Sequence, residues 1–131
     1  MTRKLSATII CLIAYLYGFS TNHIVNTQGM SFVPSSLTIN VGDSVTFINN
    51  DGFHNVNGTT TSFPNNPESF INPQGVSTGW TYSKVFTVAG SYDYQCDPHI
   101  PGMVGTILVN TNTIYDIVSN SADHTTLKTA I

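Results

Sequence analysis

The segment Tyr94-Gln95-Cys96-Asp97-Pro98-His99-Ile100-Pro101-Gly102-Met103 places a thiol, an imidazole and a thioether within eight residues, Cys96 to Met103. Before it, Tyr92, Tyr94 and Cys96 recur at every second position. They therefore share one face of a strand, and Cys96 points inward with two large aromatics. After it, Val104, Thr106 and Leu108 alternate with Ile107 and Val109, the pattern of another strand. His99 and Met103 thus sit on a loop joining two strands. Pro98 and Pro101 fix φ at two of its positions, which reduces what must be ordered when a ligand is taken up.

The same period of two extends upstream. Leu37, Ile39 and Val41 alternate with Thr38 and Asn40, and Gly42-Asp43 reads as a turn. Val45 and Phe47 alternate with Ser44, Thr46 and Ile48 in a strand that ends at Asn49-Asn50-Asp51-Gly52. Phe86 and Val88 continue the pattern before Ala89-Gly90. Short strands at this spacing predict an all-β sandwich or barrel over residues 21–111. From about Gly58 to Gly79 the alternation stops. Prolines and asparagines there predict a long surface excursion with little regular structure. Asn57-Gly58-Thr59 matches a glycosylation sequon, a weak motif by itself.

The length of 131 residues allows one ordinary domain and a little more. Met1-Thr2-Arg3-Lys4 followed by an apolar run to Phe19 reads as a signal peptide over residues 1–20. The run is short for a membrane span. Its removal would take Cys11 with it and leave Cys96 as the only thiol of an exported chain. An unpaired cysteine in an oxidising compartment needs protection, and coordination to a metal supplies it. Removal would also leave Lys84 and Lys128 against seven carboxylates, a net charge of −5. So acidic a chain is not a nucleic-acid binder. Localisation is expected to be periplasmic, cell-surface or secreted.

A second imidazole, His54, lies in Phe53-His54-Asn55-Val56, just after the strand that ends at Asn49. Two histidines, one cysteine and one methionine form the donor set of a one-electron copper site. Thiolate and thioether suit Cu(I), while imidazole suits both oxidation states. Zinc accepts Cys and two His, but a thioether favours copper. A cysteine nucleophile fits poorly, since Cys96 faces inward with His99 on the same tight loop. No enzyme activity is expected. Asn55 is a candidate N–H donor to the Cys96 sulfur and a tie between loops through its amide. His23 and His124 are read as ordinary residues and Met30 as core.

At these residues the sequence resembles the cupredoxins of the plastocyanin and pseudoazurin type. The resemblance runs from about residue 24 to 110 and includes Phe32-Val33-Pro34, Val41-Gly42-Asp43-Ser44-Val45, Phe53-His54-Asn55-Val56, Gly90-Ser91-Tyr92-Asp93-Tyr94-Gln95-Cys96, Pro98-His99 and Gly102-Met103-Val104-Gly105. It implies a Greek-key β-sandwich holding one type 1 copper ion, Cu(I)/Cu(II), through His54, Cys96, His99 and Met103. It implies one-electron carriage outside the cytoplasm, with redox protein partners docking near His99. Three residues separate His99 from Met103, where plastocyanin and pseudoazurin usually have four and amicyanin has two. This departure bears on the axial distance and the potential.

Residues 112–131 are expected to be a linker and a short, partly helical extension. Thr113-Ile114-Tyr115-Asp116-Ile117-Val118 and Ser121-Ala122-Asp123-His124-Thr125-Thr126-Leu127 are similar to the opening of a fasciclin-type adhesion domain. That resemblance implies a copper module within a longer surface protein, associated with a cell surface or matrix. Copper storage or delivery is a further alternative.

Overall fold

The computed structural model describes residues 20–112. All but the last residue of the expected leader, and all but the first of the expected tail, lie outside the described residues, as do Cys11 and His124. Among the described residues, nine strands form two sheets. One sheet contains β1 (Asn22–Gln28), β2 (Ser31–Val33), β4 (Ser44–Asn49) and β7 (Trp80–Val85), in the order β2-β1-β4-β7. The other contains β3 (Ser36–Asn40), β5 (Asn57–Gly58), β6 (Phe70–Ile71), β8 (Gly90–Gln95) and β9 (Val104–Asn110), in the order β3-β9-β8-β5-β6. The chain passes repeatedly from sheet to sheet, so β1 pairs parallel with β4 and β3 parallel with β9.

The alternating residues point where their period dictates. Val45, Phe47, Tyr92, Tyr94, Ile107 and Val109 are all buried between the sheets. Aromatic rings fill the centre edge to face: Tyr94 lies 4.9 Å from Phe32 and 5.3 Å from Phe47, and Phe86 lies 4.9 Å from Tyr92. Such contacts add stability beyond the area they bury.

Three expectations are corrected. The excursion is not wholly on the surface: Phe70 enters the core, and Asn66 and Asn72 are buried. These amides replace a strand ladder. Asn66 Nδ2 donates to the carbonyls of Gly58 and Asp93, and its Oδ1 accepts the Asp93 N–H. Asn72 Oδ1 accepts the Val56 N–H. Directly after the excursion, Trp80–Val85 is a strand that the sequence pattern did not reveal, while Val88 is exposed. Met30 is not core either. It occupies the tight turn between β1 and β2, and such a turn holds its side chain outside the sandwich. The sequon at Asn57 is sterically closed, since Asn57 is buried and its Nδ2 is already engaged by Asp97 and Ser62.

Asp43 joins three strands. Its carboxylate accepts the backbone N–H groups of Thr21 (2.8 Å) and Asn40 (3.0 Å) and faces His23 Nε2 at 3.2 Å. His23 pairs with Val45 at the start of β4, away from the β4 end that leads to His54. Burial pushes the Asp43 carboxyl up, but the hydrogen bonds from Asn40, Thr21 and His23 together hold it below its ordinary value. A carboxylate depressed on folding stabilises the fold above its unfolded value, roughly pH 4, and that contribution disappears as pH falls through the lower folded value. Stability should therefore fall below about pH 4. Asp43→Asn should flatten that fall in acid titrations followed by circular dichroism; an unchanged slope would contradict the assignment.

Candidate metal centre

The Cys96–Met103 loop closes on itself. The Cys96 N–H donates to the Met103 carbonyl at 2.9 Å, where β8 gives way to β9. Asp97–His99 make one 3₁₀ turn with Pro98 in its first positions. The N–H groups of Gly102 and Met103 both donate to the His99 carbonyl, at 2.9 and 3.0 Å. The loop is therefore ordered by its own backbone. Cys96 and Met103 are fully buried on it, and His99 is half-buried at its tip.

His54 arrives from the end of β4 and is held by groups that sequence reasoning missed. Its backbone pairs with Ser77 in an isolated bridge, and the Trp80 indole N–H donates to its carbonyl at 3.0 Å. Buried Asn49 donates to the carbonyls of Gly52 (3.0 Å) and Ser77 (2.9 Å), which shapes the turn beneath the ring. Gly52 has φ +73°, and a Cβ there would stand 2.6 Å from His54 Nε2. Only glycine meets both requirements. Gly52→Ala should therefore displace the imidazole and weaken copper binding about tenfold, on the scale of losing an orienting partner of a metal ligand. Competition against a Cu(I) chelator checks this, and wild-type affinity would contradict it.

These supports bring three donors together. Cys96 Sγ lies 3.6 Å from His54 Nδ1 and 3.3 Å from His99 Nδ1, and the three donor atoms all lie within 4.8 Å of one another. A first-row ion with bonds of roughly 2.3 Å to sulfur and 2.05 Å to nitrogen, at angles of about 100–120°, would set sulfur and nitrogen ~3.3–3.8 Å apart. Both sulfur–nitrogen distances fall within that window. Burial, followed by repulsion from His99, pushes the His54 pKa down against the pull of Asp51, which favours the neutral ring that can ligate. Cys96 is a free thiol. Burial pushes its pKa up, the Asn55 N–H lowers it, the Asp97 charge raises it and the His99 N–H lowers it. A bound cation would reverse that balance by holding the thiolate. As expected, the Asn55 N–H points to Cys96 Sγ, at 3.5 Å, and the Asn55 side chain ties the two loops through Asp97.

The sequence profile described as copper binding proteins of the plastocyanin/azurin family matches residues 20–110. This chain belongs to that family. It is a cupredoxin, and its cofactor is one copper ion. Chloroplastic plastocyanin of Chlamydomonas reinhardtii is 40% identical over 93 residues, 64% of this chain and 61% of that protein. Plastocyanin of Scenedesmus fuscus is 41% identical over 93 residues, 64% of this chain and 91% of the relative. Among solved structures, a single-site variant of amicyanin in its reduced state is 30% identical with a TM-score of 0.55, covering 68% of this chain and 82% of that one. A copper-containing nitrite reductase from Thermus scotoductus is 32% identical with a TM-score of 0.59, over 70% of this chain but only 23% of the enzyme.

The cupredoxin also has a distinctive rim. Met30, Phe53 and Ile100 are 67%, 69% and 56% exposed, and Met30 and Phe53 line a shallow cleft with Asp51, Gly52, His54 and His99. Met30, read from the sequence as core, belongs to this surface instead.

Proposed function

We propose that this cupredoxin is a one-electron carrier acting outside the cytoplasm, with His54, Cys96, His99 and Met103 holding a type 1 copper ion. The supporting observation is three donor atoms within 4.8 Å of one another, on buried His54 and Cys96 and on partly exposed His99 at the loop tip. Bound copper would supply the Cu(I)/Cu(II) couple. The chain's residues would do the rest. The self-bonded loop holds Cys96, His99 and Met103 in place in either oxidation state, which limits reorganisation. The sandwich excludes water from the sulfur. His99 offers an edge to a redox partner, and the apolar rim suits brief docking over a small interface. The plastocyanin relatives support carriage over catalysis, and the reading of the leader supports a place outside the cytoplasm.

In stopped-flow mixing, the Cu(I) form should pass one electron rapidly and reversibly to an oxidised small redox protein and keep its copper. Copper that stays reduced in every such mixture would contradict carriage. Slow, reversible hand-over of Cu(I) to an apo acceptor, without electron transfer, would instead favour storage or delivery. The fasciclin-like tail supports a second reading, a copper module of a surface adhesion protein. Gene deletion separates the two: an attachment defect restored by a copper-ligand variant favours adhesion, and a respiratory defect that the variant fails to restore favours carriage.

A further inference from the structure

We propose that Asp97 is a positioning residue that aims the Asn55 N–H at the Cys96 sulfur and, as a fixed negative charge beside that sulfur, lowers the copper reduction potential. The proposal rests on the copper reading above. Its basis is a convergence of three side-chain amides from two segments of the chain. Asn55 Nδ2 donates to Asp97 Oδ2 at 2.7 Å. Asn57 Nδ2, from β5, reaches both carboxylate oxygens at 2.9 and 3.1 Å. Gln95 Nε2, from the end of β8, donates to Oδ1 at 2.9 Å. In return the Asp97 backbone N–H donates to Asn55 Oδ1 at 2.8 Å. Asn55 is therefore gripped at both ends of its amide by one residue.

The grip has a direct consequence at the sulfur. With its side chain fixed, Asn55 has its backbone N–H committed to Cys96 Sγ, at 3.5 Å. Asn57 is itself braced: its Oδ1 accepts from the Thr59 N–H at 3.0 Å and from the Thr59 hydroxyl at 2.8 Å. A hydroxyl side chain at position 97 would not provide the two oxygens that these amides share; a carboxylate does. The amide donors are neutral, so they hold the charge in place without cancelling it. A negative charge next in sequence to the thiolate favours Cu(II) over Cu(I). The N–H on the sulfur acts in the opposite sense, drawing electron density from the thiolate. At an effective dielectric of ~20–40 the charge outweighs one such hydrogen bond and changes the redox equilibrium by about tenfold.

The test uses the whole chain carrying Asp97→Asn, Asp97→Glu or Asp97→Ala. Asp97→Asn keeps the volume and removes the charge. Its equilibrium with a fixed reference couple should shift about tenfold towards Cu(I), and Asp97→Glu should recover most of the shift. In the copper-free protein, hydrogen exchange at the Asn55 amide should accelerate in Asp97→Ala. Asp97→Asn with a wild-type potential, despite an intact copper–thiolate band, would overturn the tuning role and leave the copper reading standing. Unchanged Asn55 exchange in Asp97→Ala would overturn the positioning role. Absence of the band from the wild-type chain would overturn the copper reading itself, while the copper-free exchange experiment would still decide the positioning role.

Discussion

Cys96→Ser is expected to abolish the intense copper–thiolate absorption and weaken Cu(I) binding by more than ~100-fold, beyond the loss expected for an outer partner of a ligand. The sulfur is the centre of the donor set, lying 3.6 Å and 3.3 Å from the two imidazole nitrogens. A serine hydroxyl is a hard donor that stays protonated, so it replaces neither the charge nor the softness of thiolate. Two histidines would remain, and they can retain Cu(II) weakly in a pale site. Cys96 is buried, so the substitution also places a hydroxyl in the interior at a cost of about 1–2 kcal/mol. Thermal unfolding of the copper-free protein separates that loss from the loss of binding. His23→Ala is the control. His23 lies on β1 against Asp43, and its loss should leave the absorption unchanged. A persistent intense band in Cys96→Ser would remove the thiolate from the site.

Gly105→Ala should destabilise the fold by roughly 3 kcal/mol, the upper end for overpacking a core. A Cβ at position 105 would lie 2.2 Å from Tyr94 Cζ and 2.3 Å from its hydroxyl oxygen. The ring has little room to yield, because Phe32, Phe47 and Phe70 surround it at 4.9, 5.3 and 6.1 Å. Tyr94 and Gly105 also face each other across the β8–β9 pairing, two residues from Cys96 and Met103 respectively. Overpacking there should loosen the metal loop as well as the core. Tyr94→Leu clears the space, so Gly105→Ala with Tyr94→Leu should be more stable than the sum of the single effects predicts. Denaturant unfolding of the four proteins in this cycle gives the coupling. Strict additivity would mean that the two residues do not interact.

Where the period of two was clean, the fold was legible. Val45 and Phe47, Tyr92 and Tyr94, and Ile107 and Val109 fill the core as their alternation required. The loop was legible because its donors are close in sequence and its prolines restrict it. Trp80–Val85 was missed because Thr81, Ser83 and Lys84 dilute the apolar signal, while Val85 points outward. Asn66 and Asn72 read as loop residues and Asn49 as a strand end, because nothing in a lone asparagine reveals that its amide will satisfy buried backbone groups. Trp80 and Gly52 act on His54 through space, at sequence separations that a single chain does not disclose. The glycine before Phe53-His54 was the available signal for a tight approach to the ring. The convergence on Asp97 was half visible: Asn55 was expected to tie the loops, but its partner lies 42 positions away.

The most direct measurement is a Cu(II) titration of the copper-free chain followed by visible absorption and electron paramagnetic resonance. A type 1 copper ion on Cys96 predicts an intense thiolate-to-copper band that saturates at one equivalent, with the narrow copper hyperfine splitting of a highly covalent copper–thiolate bond. A pale solution with the broad splitting of a nitrogen- and oxygen-ligated ion, or saturation without any thiolate band, would contradict it.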